Sequence, residues 1–153
     1  MGVLVPKTLN MNFVYNDGGR LMAGYKGHAG DCVVRAIAIA THTPYQEVYD
    51  DLNTIAKHEH KGKRKRGKSS SANGVFRYTY DTYLKSIGWT WTPTMFVGQG
   101  CKVHLRTEEL PSGWLIVSVS RHMTTVCNGA IYDTHNPERG GNRCVYGYWK
   151  KGA

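Results

Sequence analysis

Hydrophobic and polar positions along the chain change their period near residue 89. Before that point apolar residues recur at helical spacing, and after it short apolar runs alternate with turn residues, as strands do. Helices followed by an antiparallel sheet are typical of the α+β class. A chain of 153 residues suits one domain. We therefore predict a single α+β domain over residues 1–153, with N-terminal helices packed on a C-terminal antiparallel sheet.

The most apolar segment of the chain runs from Val33 to Ala40. It is apolar almost all round, and a helix of that kind belongs in the middle of a domain. Glycines at 27 and 30 predict a turn that leads into it, with Cys32 in its first turn. The helix should end near Thr41, because Pro44 is a poor continuation.

Two amphipathic helices are predicted next. The first has Thr43 as its N-cap, Pro44 at its first position and Gln46 completing a capping box. The second follows Asn73 and ends at Gly88, which suits a C-terminal cap. Their apolar faces consist of Tyr45, Val48, Tyr49, Leu52, Ile55 and Ala56 in the first and of Phe76, Tyr80, Tyr83, Leu84 and Ile87 in the second.

Two turn signals predict hairpins. Residues 16–19 (Asn-Asp-Gly-Gly) lie between two short runs and predict an N-terminal hairpin over 11–22. The dipeptide Asn128-Gly129 predicts a two-residue loop between the strands 122–127 and 130–134. The other predicted strands are residues 89–92, 102–105, 114–119 and 144–149.

Residues 57–73 carry dense positive charge and no apolar periodicity, which predicts a flexible basic surface loop. The chain as a whole has a net charge of +9, which favours acidic partners or nucleic acid. The loop is either only a solvated segment or a binding surface for nucleic acid or an acidic protein. Its candidate binding residues are Lys61, Lys63, Arg64, Lys65, Arg66 and Lys68.

Composition indicates the cellular compartment and the state of the cysteines. No stretch reaches the ~18 consecutive apolar residues of a membrane span, and the first residues lack a secretory signal, so we expect a cytoplasmic protein without a membrane partner. The four cysteines are widely separated and form no C-x-x-C pair, which argues against a zinc knuckle. In a reducing cytoplasm we expect free thiols rather than bridges.

Cys32 is the strongest candidate for chemistry. The N-terminus of a helix favours an anion, so a thiol there has a lowered pKa and becomes nucleophilic. In the predicted hairpin Cys127 faces Ala130, which brings His122, Thr124, Asp133 and His135 onto one face. Asp133 is then the diagonal neighbour of His122. A cysteine nucleophile needs such a histidine and a third group that orients it.

Other interpretations of these residues stay open. Cys32 is alternatively a small buried apolar residue, as free cysteine often is. His135 or Asn136 is an alternative partner for His122, although a carboxylate better stabilises an imidazolium. His122, Asp133 and His135 also resemble a metal cluster, but a cation site usually has a further ligand, so we predict no metal and no cofactor.

Two motifs carry a resemblance to a known family. Gly30-Asp31-Cys32 at the start of an apolar helix, and the block from His122 to Thr134, resemble the papain-like cysteine peptidase superfamily. Its compact bacterial and phage members, the NlpC-type cell-wall peptidases and bacteriocin-processing peptidases, are the most similar. The order of elements agrees over roughly residues 25–149, and the small basic chain resembles phage proteins.

The resemblance implies a papain-like fold and a thiol hydrolase, a peptidase or isopeptidase, that acts through an acyl-enzyme. Cys32 is then the nucleophile, His122 the general base and acid, and Asp133 the orienting residue. An acyl transferase would use the same residues. The substrate is a protein or peptide, and the positive charge suits an acidic one.

The chain departs from the family at one point. Many of these peptidases carry a glutamine shortly before the nucleophile that helps to stabilise the oxyanion, and here that place holds Lys26. Asn16, His28 and Asp31 are candidates for the missing donor beside the Cys32 N–H. The departure also allows an alternative function, an inactive papain-like scaffold that binds a host protein or nucleic acid through its basic loop.

Overall fold

The computed structural model describes residues 11–27, 30–59 and 68–152. Within these ranges, three α-helices, one short 3-10 helix (Thr107–Glu109) and six strands give an α+β fold, the predicted class. No helix within the described ranges combines the length and the apolar character needed to cross a bilayer. In chain order the elements are β1 (Asn12–Tyr15), α1 (Cys32–Thr41), α2 (Tyr45–His58), α3 (Arg77–Ser86), β2 (Trp89–Pro93), β3 (Trp114–Val119), β4 (His122–Cys127), β5 (Ala130–Asp133) and β6 (Val145–Lys151).

The strands form one sheet in the order β1-β5-β4-β3-β6-β2. Neighbouring strands are antiparallel except for β1, which pairs parallel with β5. The predicted N-terminal hairpin is therefore wrong. The Asp17 carboxylate accepts from the backbone N–H groups of Gly19 and Leu21 at 2.9 Å each, which curls the chain into a turn instead of a returning strand.

That turn lies directly against α1. Gly18 adopts a φ of +71°, and a Cβ built there would lie 3.1 Å from the carbonyl oxygen of Arg35. Only glycine accepts both the left-handed backbone and so close an approach. The turn after β1 thus reaches the first half of the central helix.

Helix α1 is the centre of the domain, as its apolar pattern predicts. Every residue from Val33 to Ala40 is buried, and the helix ends at Thr41 with His42 in the left-handed conformation. The Thr125 hydroxyl on β4 donates to the carbonyl of Ala36 at 2.7 Å. This hydrogen bond ties the middle of α1 to the strand that begins with His122.

Both faces of the sheet are buried. One face packs against the helices, through side chains such as Ile116, Met123 and Trp149. The other face carries Val117 and Val126 and is covered by Leu105 and its neighbours. A sheet enclosed in this way holds the ends of its strands in fixed positions, and the candidate site lies at one such end.

The apolar faces predicted for α2 and α3 are largely confirmed, whereas the predicted cap of α2 is wrong. Val48 and Leu52 of α2 and Leu84 of α3 are fully buried. Helix α2 begins at Tyr45 rather than Pro44 and has no side-chain cap. The Thr43 hydroxyl instead accepts from that of Thr41 at 2.8 Å, so it does not cap the helix.

The predicted loop over 57–73 is too long at both ends. Helix α2 continues through His58. After the undescribed residues 60–67, the Ser69 hydroxyl contacts that of Thr79 at 2.6 Å and the Ser71 hydroxyl donates to the Tyr49 carbonyl at 2.6 Å. Buried serine hydroxyls anchor this part of the chain to α2 and α3, which a polar sequence pattern does not reveal.

Two predictions about the region of residues 101–105 are wrong. Cys101 and Cys144 form a disulfide with a Cα–Cα distance of 5.9 Å, so they are not free thiols. The predicted strand 102–105 is only an isolated bridge between His104 and Cys144. The chain turns there, because the Arg106 N–H donates to the His104 carbonyl at 2.8 Å. Cys32 and Cys127 are free.

Candidate active site

The candidate nucleophile is the first residue of α1. Cys32 is partly exposed, whereas Val33 and the rest of the helix body behind it are buried. The first N–H groups of a helix have no intrahelical acceptor, so those of Cys32 and Val33 lie at the positive end of the helix dipole without a partner inside the helix. The apolar helix therefore fixes a thiol beside unpaired backbone donors.

The environment of Cys32 favours the thiolate. Burial alone would raise the pKa of its thiol, but a hydrogen bond with His122 and the charge of that imidazole outweigh it. The backbone N–H of Met123 and the charge of Arg35 act in the same direction. The net result is a pKa below the ordinary cysteine value, which is the condition for nucleophilic reactivity.

His122 stands between the thiol and a carboxylate. It is the first residue of β4, its Nε2 lies 2.7 Å from Asp133 Oδ2, and its ring also interacts with the Cys32 thiol. Burial alone would lower the pKa of His122, but the hydrogen bonds to Asp133 and Cys32 raise it to about 9. The imidazole therefore favours its protonated form, and its charge favours the thiolate of Cys32.

Asp133, the last residue of β5, is a well-satisfied buried carboxylate. Besides His122 it accepts from the Thr124 hydroxyl at 2.6 Å and from the Thr134 N–H at 2.7 Å. Burial would raise the pKa of Asp133, but these hydrogen bonds lower it. The carboxylate thus stays ionised and holds the imidazole ring in one orientation.

The hairpin register predicted from Asn128-Gly129 is confirmed, and it brings these groups together. Cys127 pairs with Ala130. The neighbouring candidates for orienting His122 do not take that role. The ring centroid of His135 lies 4.8 Å from that of His122, with the two ring planes tilted at 45°. The Asn136 amide instead donates to Glu138 at 3.2 Å.

Within the described ranges, one cluster of three side chains could ligate a metal ion. His122, Asp133 and His135 each present a ligand atom within 4.8 Å of the others. A cation bound by all three would have to compete with the hydrogen bond of 2.7 Å that joins His122 to Asp133. The geometry therefore favours the hydrogen-bonded triad over a metal centre.

A charged network behind the triad was not predicted from the sequence. Arg35 forms ion pairs with Asp31 at 3.0 Å and with Asp133 at 3.6 Å. Arg20 pairs with the other oxygen of Asp31 at 3.1 Å, and the Tyr45 hydroxyl donates to that oxygen as well. One signal was available, because a lone arginine in an apolar helix stands four residues after an aspartate.

The residues suggested as a second oxyanion donor differ in their contacts and exposure. Asp31 cannot serve, because an ionised carboxylate only accepts, and its oxygens already bind Arg20 and Arg35. Asn16 uses its side-chain oxygen to accept from the Gly18 N–H at 2.8 Å. Lys26 is exposed, and His28 lies outside the described residues. The start of α1 remains the best-placed source of donors.

Most of the predicted basic surface lies outside the described residues. This holds for Lys61, Lys63, Arg64, Lys65 and Arg66, and it leaves Lys68, which is exposed, as the described member of the set.

No family model, curated protein or solved structure matches this chain. The resemblance to papain-like peptidases therefore stays a prediction that rests on two short motifs.

Proposed function

We propose that this protein is a thiol-dependent hydrolase that cleaves peptide or isopeptide bonds through an acyl-enzyme. The observation that carries the proposal is that Cys32 and His122 shift each other's pKa toward the charged forms, while His122 lies 2.7 Å from the Asp133 carboxylate. A nucleophile, a base and an orienting carboxylate in contact are the groups that acyl transfer requires. The nucleophile also lies at a helix N-terminus, where backbone N–H groups stabilise a developing oxyanion.

The first half of the reaction forms a thioester. The Cys32 thiolate adds to the carbonyl carbon, and negative charge develops on the carbonyl oxygen near the N–H groups at the start of α1. The tetrahedral intermediate collapses by breaking the C–N bond, and the His122 imidazolium transfers its proton to the departing amine. The products of this half are the free amine and a thioester on Cys32.

The second half regenerates the thiolate. Neutral His122 takes a proton from water as the water oxygen adds to the thioester carbon. Collapse of this intermediate releases the carboxylic acid and returns the electron pair to the Cys32 sulfur, leaving thiolate and imidazolium. Asp133 keeps the imidazole in one orientation and stabilises its protonated form throughout.

The papain-like classification is part of the same proposal. Its support is the order of the elements, with the cysteine at the start of a buried helix and the histidine and aspartate on adjacent antiparallel strands. The net charge of +9 supports a protein or peptide substrate with acidic character.

An electrophilic thiol probe tests the proposal. At pH 6 we expect mass spectrometry to find preferential labelling of Cys32 over Cys127, since burial raises the pKa of Cys127. His122→Ala should lower Cys32 labelling at least tenfold, because the thiolate loses its partner. His104→Ala is the matched control, because this histidine pairs with Glu109 at 3.2 Å.

A peptide library supplies the second half of this test. Cleavage products should form with the wild-type protein and vanish with Cys32→Ala. Equal labelling of the two free cysteines, with no effect of His122→Ala, would overturn the proposal and leave the scaffold as a binding module.

A further inference from the structure

Arg35 is a charged residue inside an otherwise apolar helix. Its neighbours in α1 are buried aliphatic side chains, and Arg35 itself is only 7% exposed. Burying a guanidinium is costly unless it is paired and hydrogen-bonded. Packing alone therefore does not explain an arginine one turn after the candidate nucleophile.

The guanidinium bridges the two acids that flank the catalytic groups. Its Nε lies 3.0 Å from the Oδ1 of Asp31, the residue immediately before Cys32. Its Nη1 lies 3.6 Å from the Oδ1 of Asp133 and donates to the Thr134 hydroxyl at 2.5 Å. A single planar side chain thus connects the start of α1 with the end of β5.

The network also balances charge. Arg20 and Arg35 carry two positive charges, and Asp31 and Asp133 carry two negative ones. The thiolate–imidazolium pair therefore forms beside a frame of zero net charge. The titratable and charged groups around that pair are Asp31 just before α1, Arg35 from α1, Arg20 from the turn after β1, Tyr80 from α3, Asp133 from β5 and His135 beyond it.

We propose that Arg35 is a positioning residue of this site. Its fork holds the acid before Cys32 and the acid behind His122 at a fixed separation, so that sulfur and imidazole meet. Its charge keeps the buried frame neutral beside the thiolate. This inference rests on the proposed function, because it assigns a role within that reaction centre. A purely structural ion pair would change stability without changing the titration of the site.

The pH dependence of Cys32 alkylation tests the inference without a substrate. With a neutral alkylating reagent, the wild-type rate should rise in two steps, at thiolate formation and at loss of the His122 proton. In Arg35→Met the frame carries an extra negative charge, so both protons are held more tightly. We expect both steps to move upward by about 0.5 to 1 pH unit. Peptide mass spectrometry separates Cys32 from Cys127.

Three further variants separate charge from geometry. Arg35→Lys keeps the charge but loses the fork, so the two steps should stay in place while the rate between them falls severalfold. The double variant Asp31→Asn/Arg35→Met is neutral again and should return both steps toward the wild-type positions. Lys85→Met removes one exposed charge and should change neither step.

Circular dichroism and thermal unfolding identify variants that do not fold, and the neutral double variant and Arg35→Lys remain informative if Arg35→Met is among them. Wild-type steps in folded Arg35→Met, or steps in Arg35→Lys that move as far as a loss of charge would predict, would overturn the inference. If the wild-type protein itself lacks a step below the ordinary cysteine pKa, the proposed function fails first. If that step is present and Arg35 does not affect it, only this inference fails.

Discussion

Asp133 is the residue on which the chemistry of the site depends most. Its two oxygens accept hydrogen bonds from His122, the Thr124 hydroxyl and the Thr134 N–H, and one of them forms an ion pair with Arg35. A buried carboxylate with this many donors stays ionised, which is why the imidazole beside it is easily protonated. The low pKa of Asp133 and the high pKa of His122 are two consequences of the same contact.

The contact between His122 and Asp133 predicts a pH dependence of folding stability. Because the folded pKa is raised from 6.5 to about 9, the ion pair stabilises the fold below pH 6.5 and this stabilisation is lost as the pH rises toward 9. Cys32→Ser removes the thiolate, whose titration would offset the effect. In that background we expect His122→Gln to lower the unfolding free energy at pH 6 by about 1 to 2 kcal/mol.

Urea unfolding at pH 6 and pH 9.5 measures this difference. The two proteins, Cys32→Ser with and without His122→Gln, should converge in stability at the higher pH. A gap that is the same at both pH values would mean that His122 does not titrate against Asp133.

The contact between His122 and Asp133 was predictable and the contact between Arg35 and Asp133 was not, for a physical reason. Asn128-Gly129 selects a two-residue loop, which sets the register and hence the proximity of His122 and Asp133. The partner of Arg35 on β5 becomes its neighbour only when the helix packs against the sheet. Local pattern carries no information about that contact.

At the scale of elements, the two faces of β4 contact different parts of the site: one contacts Asp133 and the other contacts α1. Thr124 and Thr125 are adjacent, and both are buried. Because strand side chains alternate, the Thr124 hydroxyl donates to Asp133 while that of Thr125 donates to the Ala36 carbonyl of α1. One strand thus supports the carboxylate on one face and anchors α1, which begins with Cys32, on the other.

These two threonines form a matched pair of variants. Thr125→Val should lower the unfolding free energy by about 1 kcal/mol, because one hydrogen bond between α1 and β4 is lost. Thr124→Val should cost about 2 kcal/mol, because a buried carboxylate loses a donor. Only Thr124→Val should also move the second step of Cys32 alkylation to higher pH, since Asp133 then holds the His122 proton more strongly.

Denaturant unfolding and the alkylation profile measure the two effects separately. An equal shift of the profile in both variants would mean that the division between the faces of β4 is wrong.

Element predictions failed where the partner of a segment, rather than its own pattern, decides the outcome. Residues 12–15 are a strand, but their partner is β5 and not the residues after the turn. Strand propensity reports a fit to a sheet and says nothing about which neighbour is used. Helix α1 was predictable because a helix that is apolar on all sides is buried in the core.

For the whole molecule, the Cys101–Cys144 disulfide closes a loop that contains β3, β4 and β5. The two residues are 43 positions apart, and the bridge joins the segment ahead of Leu105 to the start of β6. The expectation of free thiols rested on a reducing cytoplasm, and no local cysteine spacing indicates such a pair. The bridge follows from the fold rather than from a motif.

Removing this disulfide should destabilise the entire domain. For a closed loop of this length, Cys101→Ser/Cys144→Ser should lower the unfolding free energy by about 3 to 4 kcal/mol in the chain-entropy model. Reduced wild-type protein should match the double variant in urea unfolding, and Cys127→Ser should differ little from the wild-type protein. Four reactive thiols in unfolded protein purified without reductant would contradict the pairing.

Strand β1 looks like the most expendable part of the sheet, since it is an edge strand and all four of its residues are exposed. Its last residue, Tyr15, nevertheless pairs with Asp133, and the next N–H, that of Asn16, donates to the Asp133 carbonyl at 2.9 Å. Trimming the chain from its N-terminal side as far as Asn16 would strip the backbone support from the very carboxylate that orients the histidine. Shortened versions meant for enzymology or crystallisation should therefore begin no later than Met11, whose own N–H donates to Glu138 at 3.1 Å.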